Sequence, residues 1–138
     1  MPLNFGCVGR AYRAVPEVLD RERHGRYAVA VGAAADPSQE FGHPLACFAG
    51  VYLLSPLVTQ LFADPEVGLD VEHLLHAEQE FAFGRPLEFE ETVAPDGLIS
   101  SAERRRGMIF LEFRCDGRDR DGTVVVRSRS LFVVRQAA

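Results

Sequence analysis

The segment from Pro44 to Phe62 constrains the fold most, because it is strongly apolar and contains no charged residue. It is nearly long enough to cross a bilayer, but Gly50, Ser55 and Pro56 interrupt it and no basic cluster flanks it. A helix that is hydrophobic on all sides is also what a sheet wrapped around it requires. We therefore predict an enclosed helix and no membrane interaction, with Ser55 capping a second helical piece.

The elements before this segment are helical or extended, whereas those after it have a period of two. The predicted order begins with an opening strand at 9–15, a helix from Arg21 to about Ala34 capped by Asp20, a loop at 36–42, the apolar helix and a loop at 63–70. Four strands are predicted after it. They are a strand that begins near Glu72 and ends at 84–86, a weaker strand at 93–103 that is interrupted at 95–97, and strands at 109–115 and 123–135. Turns are predicted at 104–107 and 119–122. Helices followed by antiparallel strands indicate an α+β domain.

Composition excludes several function classes. The chain has 138 residues, the size of one domain, and a net charge of −5, which disfavours binding to nucleic acid or an anionic membrane. All 15 basic residues are Arg, so a lysine Schiff base is excluded. Three scattered cysteines and a start without a secretory signal predict a reducing, cytoplasmic setting.

Several short motifs resemble one family over nearly the whole chain. They are Gly9-Arg10-Ala11-Tyr12, His76-Ala77-Glu78-Gln79, Arg85-Pro86-Leu87 and Asp121-Gly122-Thr123-Val124-Val125. In this order they resemble the MaoC-like dehydratases, in particular the amino-terminal or FAS1-type dehydratase domain. The resemblance implies a single hotdog domain at 1–138, in which an antiparallel sheet wraps around a long apolar helix. It also implies the handling of acyl thioesters in fatty acid metabolism.

The motif that carries catalysis in that family reads roughly Gly-Asp-x-Asn-Pro-x-His, with its Asp and His as the catalytic pair. When Pro37 is laid on the motif's proline, Asp36 falls on the Asn, Ala34 on the catalytic Asp and Gln39 on the catalytic His. The family includes subunits without this dyad that pair with a catalytic hotdog chain. The resemblance therefore implies a thioester-binding subunit of a hydratase or dehydratase, as a homodimer or as a heterodimer with a second hotdog chain.

Dehydration of a 3-hydroxyacyl thioester needs a base, an acid and donors for the enolate-like oxygen. In hotdog dehydratases these donors are backbone N–H groups at the amino end of the central helix, where free N–H groups and the helix dipole meet. Pro44 has no N–H, so the donors are expected near Leu45 and Ala46. The residues expected to contact substrate are Gln39, Leu45, Ala46, Phe48 and Gly50.

Two alternatives remain open for the chemistry. Asp36 and His43 are the titratable pair nearest to this helix end, and they could form a displaced dyad in an active (R)-specific enoyl-CoA hydratase. In the simpler interpretation, which we favour, Asp36 fixes its own Asp-Pro turn and His43 merely precedes the helix. A hotdog thioesterase is disfavoured, because 44–62 contains no Asp or Glu.

Two further clusters have plain explanations. His73 and His76 point to opposite faces if they lie on a strand, and no third ligand is placed, so we predict no metal and no cofactor. Arg104, Arg105 and Arg106 form a solvated turn, which could also contact the phosphate of an acyl-CoA or acyl-carrier thioester.

Overall fold

The computed structural model describes residues 3–135, and its main element is one antiparallel sheet of six strands. The strands are β1 (Ala11–Arg13), β2 (Glu17–Val18), β3 (Leu74–Phe83), β4 (Thr92–Arg105), β5 (Met108–Arg118) and β6 (Val124–Arg135). The order across the sheet is β1-β4-β5-β6-β3, and β2 also pairs with β4. Strand β3 pairs with β6 alone among the described elements, so its other edge is open.

Two helical regions accompany the sheet. Helix α1 spans Arg21–Ala30, and a continuous helical run spans Ala46–Ala63. This run, called the central helix below, consists of a 3₁₀ turn at Ala46–Phe48, a π-turn at Gly50–Leu54 and helix α2 at Ser55–Ala63. Short 3₁₀ turns lie at Phe5–Cys7 and Val71–His73. The α+β class is thus confirmed, with one antiparallel sheet curled around one helix.

The inner face of the sheet and the central helix form the core. Strand β5 alternates buried and outward residues along its length, as period-two packing requires. Leu53, Leu57 and Leu61 of the central helix are fully buried against this face, together with Phe113 of β5 and Phe132 of β6. The outer face of the sheet is covered by charged side chains that pair across strands.

The prediction that Ser55 caps a second helical piece is wrong, because the helix does not stop there. Leu54 is helical, and the Ser55 N–H donates to the Gly50 carbonyl five residues earlier. This π-turn lets the chain continue past Pro56, which has no N–H to give to the ladder. The helix therefore accommodates Pro56 by replacing hydrogen bonds between residues four apart with bonds between residues five apart.

Enclosure of the central helix is only partial in the single chain. Ala46, Cys47, Ser55, Thr59 and Gln60 are exposed, and of these Ser55 and Thr59 lie one helical turn apart on the same side. The run is long and apolar enough to pass a length-and-composition test for a membrane span, yet 39% of it is buried inside the fold. One side packs on the sheet, and the other side is uncovered next to β3.

Two predicted elements near the amino end are shorter than expected. Helix α1 ends at Ala30 instead of about Ala34, because Gly32 takes a left-handed conformation (φ 79°) and the N–H groups of Ala33 and Ala34 turn back to the Ala28 carbonyl. The opening strand at 9–15 is reduced to the three residues of β1. The strand after the central helix begins at Leu74, behind a 3₁₀ turn.

The interruption of this strand predicted at 95–97 is wrong, because β4 runs through these residues without a break. Pro95 has no N–H to give to the sheet, but its carbonyl still accepts from the Ala14 N–H. Gly97 lies where the central helix crosses the sheet, and a Cβ there would lie 3.2 Å from a methyl group of Leu57. The glycine thus marks a close approach of two elements.

Both predicted hairpin turns are confirmed. Arg106 and Gly107 have positive φ values of 50° and 77°, as a two-residue turn between β4 and β5 requires. In the second turn the Asp119 carboxylate accepts from the N–H groups of Asp121 and Thr123, at 2.9 and 3.0 Å.

Candidate functional site

A cleft of about 200 Å³ lies at the amino end of the central helix. It is lined by His43, Pro44, Leu45, Ala46, Tyr52, Phe83, Pro86 and Leu87. Three of the predicted site residues (His43, Leu45 and Ala46) are therefore brought together here. The walls are apolar, and none of the lining residues is a carboxylate.

The imidazole of His43 has a defined tautomer. Its Nδ1 lies 3.2 Å from the Leu87 carbonyl oxygen. Because a carbonyl can only accept, Nδ1 must carry the proton of this hydrogen bond, which leaves Nε2 unprotonated in the neutral ring. Arg85, in the same Arg-Pro-Leu motif as Leu87, is anchored by ion pairs with Glu91 and Asp119. The motif thus holds the carbonyl that orients His43.

The first N–H groups of the central helix differ in availability. The Leu45 N–H donates to Nε2 of His24 over 2.9 Å, so this expected donor is already engaged. The N–H groups of Ala46 and Cys47 meet no acceptor among the described residues 3–135. Of these two residues Ala46 lines the cleft, so its N–H is the donor closest to a ligand bound there.

His24 is a residue that the sequence analysis did not single out. It is 1% exposed and lies edge-on to the rings of Phe41, Phe48 and Phe89, at 5.0–5.2 Å between centroids. Burial, and to a smaller extent the nearby Arg21 charge, lowers the pKa of His24 below its ordinary value of 6.5. The neighbouring residues of α1 are mostly charged, so the local sequence carries no sign of a buried histidine. The phenylalanines that bury it lie far away in the sequence.

Asp36 lies on an exposed loop outside this cleft. Its carboxylate accepts from the Ser38 N–H at 2.7 Å and the Ser38 hydroxyl at 2.6 Å, and these bonds hold the pKa of Asp36 below its usual range. Between Asp36 and His43 no hydrogen bond is found in the described part of the chain. The carboxylate is used for an Asx turn.

The other predicted substrate-contact residues lie apart from the His43 cleft. Gln39 lines a separate opening between α1 and the loop at 37–42. Phe48 is fully buried under His24. Gly50 lines a third cleft of about 260 Å³, between the central helix and β3, together with Val58 and Phe62. The two clefts beside β3 follow the uncovered side of the central helix.

The remaining motifs of the resemblance have structural contacts. Arg10 and Tyr12 both bind the Asp64 carboxylate just after α2, with the Tyr12 hydroxyl at 2.6 Å. Gln79 donates from Nε2 to the Ser128 hydroxyl at 2.8 Å and accepts at Oε1 from Ser130. These contacts fix β1 to the end of the central helix, and β3 to β6.

A metal centre finds no support in residues 3–135, where no group of three His, Cys, Asp or Glu side chains is suitably placed. Nδ1 of His73 lies 2.8 Å from the Asp70 carboxylate. His76 instead contacts Gln79 Oε1 at 3.0 Å and packs its ring on Phe132.

Comparison with known proteins identifies the family. The family model described as the FAS1-like, dehydratase domain region matches residues 7–128. A UPF0336 protein of Streptomyces coelicolor is 28% identical over 147 residues, covering 99% of this chain and 98% of the relative. A UPF0336 protein of Mycobacterium tuberculosis is 27% identical over 133 residues, covering 88% and 79%.

Solved structures agree on the fold. The C-terminally truncated HadBC complex (3R-hydroxyacyl-ACP dehydratase) of Mycobacterium tuberculosis superposes with a TM-score of 0.72 at 20% identity, covering 92% of this chain and 96% of that chain. The ChsH1-ChsH2 complex of the same organism gives 0.62 at 12% identity, covering 91% and 85%. A MaoC-like dehydratase gives 0.75 at 23% identity, covering 95% and 43%. With the family model spanning most of its length, this hotdog chain belongs to the FAS1-like dehydratase domain family.

Proposed function

We propose that the chain is an acyl-thioester-binding hotdog subunit without the catalytic dyad, which pairs with a catalytic hotdog chain. The observation that carries this proposal is the composition of the cleft at the helix end. It offers one N–H donor, from Ala46, and one imidazole, from His43, but no carboxylate. Such a cleft can hold a thioester carbonyl, yet it has only one of the two proton-transfer groups that dehydration uses.

The cleft also suits the apolar part of such a ligand. Phe83, Pro86 and Leu87 form one wall, and Tyr52 lies at the base. Burial raises the pKa of Tyr52, so its hydroxyl remains neutral at physiological pH. An acyl chain can therefore lie against this wall with its carbonyl oxygen directed at the Ala46 N–H.

Pairing with a second chain is supported by what the single chain leaves uncovered. The central helix has an exposed side, and β3 beside it has an open edge of ten residues. An open edge strand is normally covered or paired. Two of the similar solved structures are described as complexes, HadBC and ChsH1-ChsH2.

The first experiment measures hydration of crotonyl-CoA by the purified chain alone. We expect no turnover above background, since a missing acid–base partner removes about 10²- to 10⁴-fold. Calorimetry with saturated butyryl-CoA should in the same preparation detect binding. Turnover by the chain alone contradicts the absence of catalysis, and a lack of butyryl-CoA binding contradicts the thioester site.

The second experiment adds a hotdog chain from the same genome that retains the Asp and His of the dyad. We expect a stable complex, with hydratase activity or acyl-chain selectivity that differs from those of the partner alone. If the mixture behaves as two independent proteins in both sedimentation and activity, the subunit assignment is wrong.

A second candidate function is an active hydratase in which His43 is the base. The hydrogen bond from Nδ1 to the Leu87 carbonyl favours this function, because it leaves Nε2 of the neutral ring without a proton on a residue that lines the cleft. This function predicts activity of the chain alone, which His43→Ala abolishes. If Asp36 and His43 act as a dyad, Asp36→Asn should also lower the activity, whereas a lone His43 base should be little affected. The hydrogen bonds between the Asp36 carboxylate and Ser38 favour the lone base.

A further inference from the structure

Helix α1 holds both ends of the loop that leads into the candidate cleft. His24 accepts the Leu45 N–H at one end of this loop. The next residue, Gly25, lies against the Pro37 carbonyl at the other end, so closely that a Cβ on Gly25 would be 2.1 Å from that oxygen. Two adjacent residues on one turn of α1 therefore fix the path from 37 to 45.

The contact with Leu45 is shielded from water. His24 is 1% exposed, and the rings of Phe41, Phe48 and Phe89 surround it. A buried acceptor that loses its donor, or a buried donor that loses its acceptor, carries a desolvation cost that an exposed pair avoids. The bond between Nε2 and the Leu45 N–H therefore specifies one geometry of the helix start.

The charged groups around His24 are compatible with a neutral ring. Arg21, on the preceding turn of α1, stacks its guanidinium on the Phe89 ring at 4.2 Å. Glu22 and Glu40 line the opening beside the histidine, and the Glu90 carboxylate accepts from the Arg21 N–H. Neither carboxylate of that opening is hydrogen-bonded to His24, whereas the Arg21 charge opposes its protonation.

We propose that His24 is a positioning residue for the thioester site. Its neutral Nε2 engages the Leu45 N–H, so that the central helix begins at Ala46 and the N–H of Ala46, which lines the cleft, is presented to the ligand carbonyl. This inference rests on the proposed function. It adds a residue, 21 positions earlier in the chain, that selects which backbone donor faces the ligand.

The experiment compares two ligands on the full-length chain. Butyryl-CoA carries the thioester carbonyl, whereas butyl-CoA, the thioether, lacks that oxygen and is otherwise matched. One hydrogen bond to a neutral carbonyl predicts that the wild-type chain prefers butyryl-CoA by about three- to tenfold in Kd. A residue that only stabilises the fold would change binding of both ligands by the same factor.

Two variants separate the roles. In His24→Gln the amide oxygen can occupy the place of Nε2 and accept from Leu45, so we expect the preference to persist. In His24→Phe the aromatic packing is kept and the acceptor is lost, so the preference should fall to about one. A His24→Phe chain that is folded and keeps the full preference overturns the proposal.

The pH dependence provides a measurement that needs no disruptive variant. Protonated His24 carries a hydrogen on Nε2 and cannot accept from Leu45. The wild-type preference should therefore disappear as the pH falls through the folded-state pKa of His24, which burial places below 6.5, while that of His24→Gln should not change. A pH-independent preference in the wild-type chain contradicts the proposal.

If the proposed function is wrong, the binding experiment gives a different result from the one expected if only the role of His24 is wrong. A chain that binds neither ligand refutes thioester binding, and the role of His24 is then decided by amide hydrogen exchange. We expect exchange at Leu45 to rise at least tenfold in His24→Phe and to stay near the wild-type rate in His24→Gln. Equal exchange in all three proteins overturns the positioning role.

Discussion

At the scale of single residues, close contacts around α1 determine the shape of the candidate site. Gly25 and His24 meet the backbone of a loop that is distant in sequence, and neither contact tolerates a larger or differently bonding side chain. Such contacts are specific because the interior is packed at nearly crystalline density. These contacts lead to two predictions about stability, one for Gly25 and one for His24.

The first prediction concerns Gly25→Ala. In an exposed helix this change would stabilise by up to about 1 kcal/mol, but here the new methyl would meet the Pro37 carbonyl oxygen at 2.1 Å. Since overpacking costs about 1–3 kcal/mol, we expect a net loss of about 1–2 kcal/mol in the free energy of unfolding by urea. Gly42→Ala is the control, because nothing lies within 4 Å of its added Cβ. Equal effects of the two changes would disprove the contact.

The second prediction concerns pH. Burial lowers the pKa of His24 in the folded chain below 6.5, so the unfolded chain takes up the proton first as the pH falls. Stability should therefore decrease as the pH drops below 6.5 and level off below the folded-state pKa. The carboxylate of Glu91 loses its contribution to the stability only at lower pH, because its pKa in the folded chain lies below 4.5.

The unfolding midpoint of the wild-type chain should decrease as the pH is lowered from above 6.5 to below the folded-state pKa of His24. The dependence should be weaker in His24→Gln, whose side chain does not take up a proton in this range. If His24→Gln retains the full wild-type slope, another group is responsible.

At the scale of elements, β3 is held to the sheet by a buried polar contact as well as by its ladder. Gln79 bonds both Ser128 and Ser130 of β6, which are 3% and 0% exposed. The same amide oxygen contacts His76, where the register of β3 shifts by one residue. The network pins the register next to a β-bulge, where slippage would otherwise be easiest.

The third prediction is that Gln79→Leu costs about 1–3 kcal/mol of stability, because it leaves two buried hydroxyls without their partner. The triple variant Gln79→Leu with Ser128→Ala and Ser130→Ala removes those hydroxyls and should recover much of the loss. Urea unfolding of the single and triple variants provides the comparison. A triple variant less stable than the single one would show that the hydroxyls have other important partners.

At the scale of the whole molecule, the uncovered part of the central helix and strand β3 lie side by side, because residues of both line the same two clefts. Phe83, at the end of β3, lines one of these clefts and is 37% exposed. Apolar surface beside an unpaired edge strand is typical of an interface. We therefore expect this surface to be buried against a second hotdog chain.

The fourth prediction is that the chain is at least a dimer at micromolar concentration, well above its monomer mass of 15.3 kDa in light scattering. Phe83→Glu should shift this equilibrium toward monomer, because it places a charge in the interface. Leu98→Glu, a substitution on the outer face of the sheet at a residue 41% exposed, is the control. A strictly monomeric wild-type chain would contradict the prediction, as would equal effects of the two substitutions.

Local sequence patterns account for much of the fold. The alternation in β5 and the turns at 104–107 and 119–122 are matched by the structure, since side-chain period and turn chemistry act between neighbouring residues. The same local rules wrongly predicted an interruption of the strand at 95–97. Gly97 is required by the central helix packed above it, and that neighbour is far away in sequence.

The sequence by itself determined the α+β class, the apolar central helix and the absence of a carboxylate between Pro44 and Phe62, all of which are written in composition and periodicity. Only the tertiary structure decided which groups meet at the helix start. There the Leu45 N–H donates to His24, and Nδ1 of His43 donates to the Leu87 carbonyl, 44 residues away. Such pairings depend on how distant elements pack, which no local pattern contains.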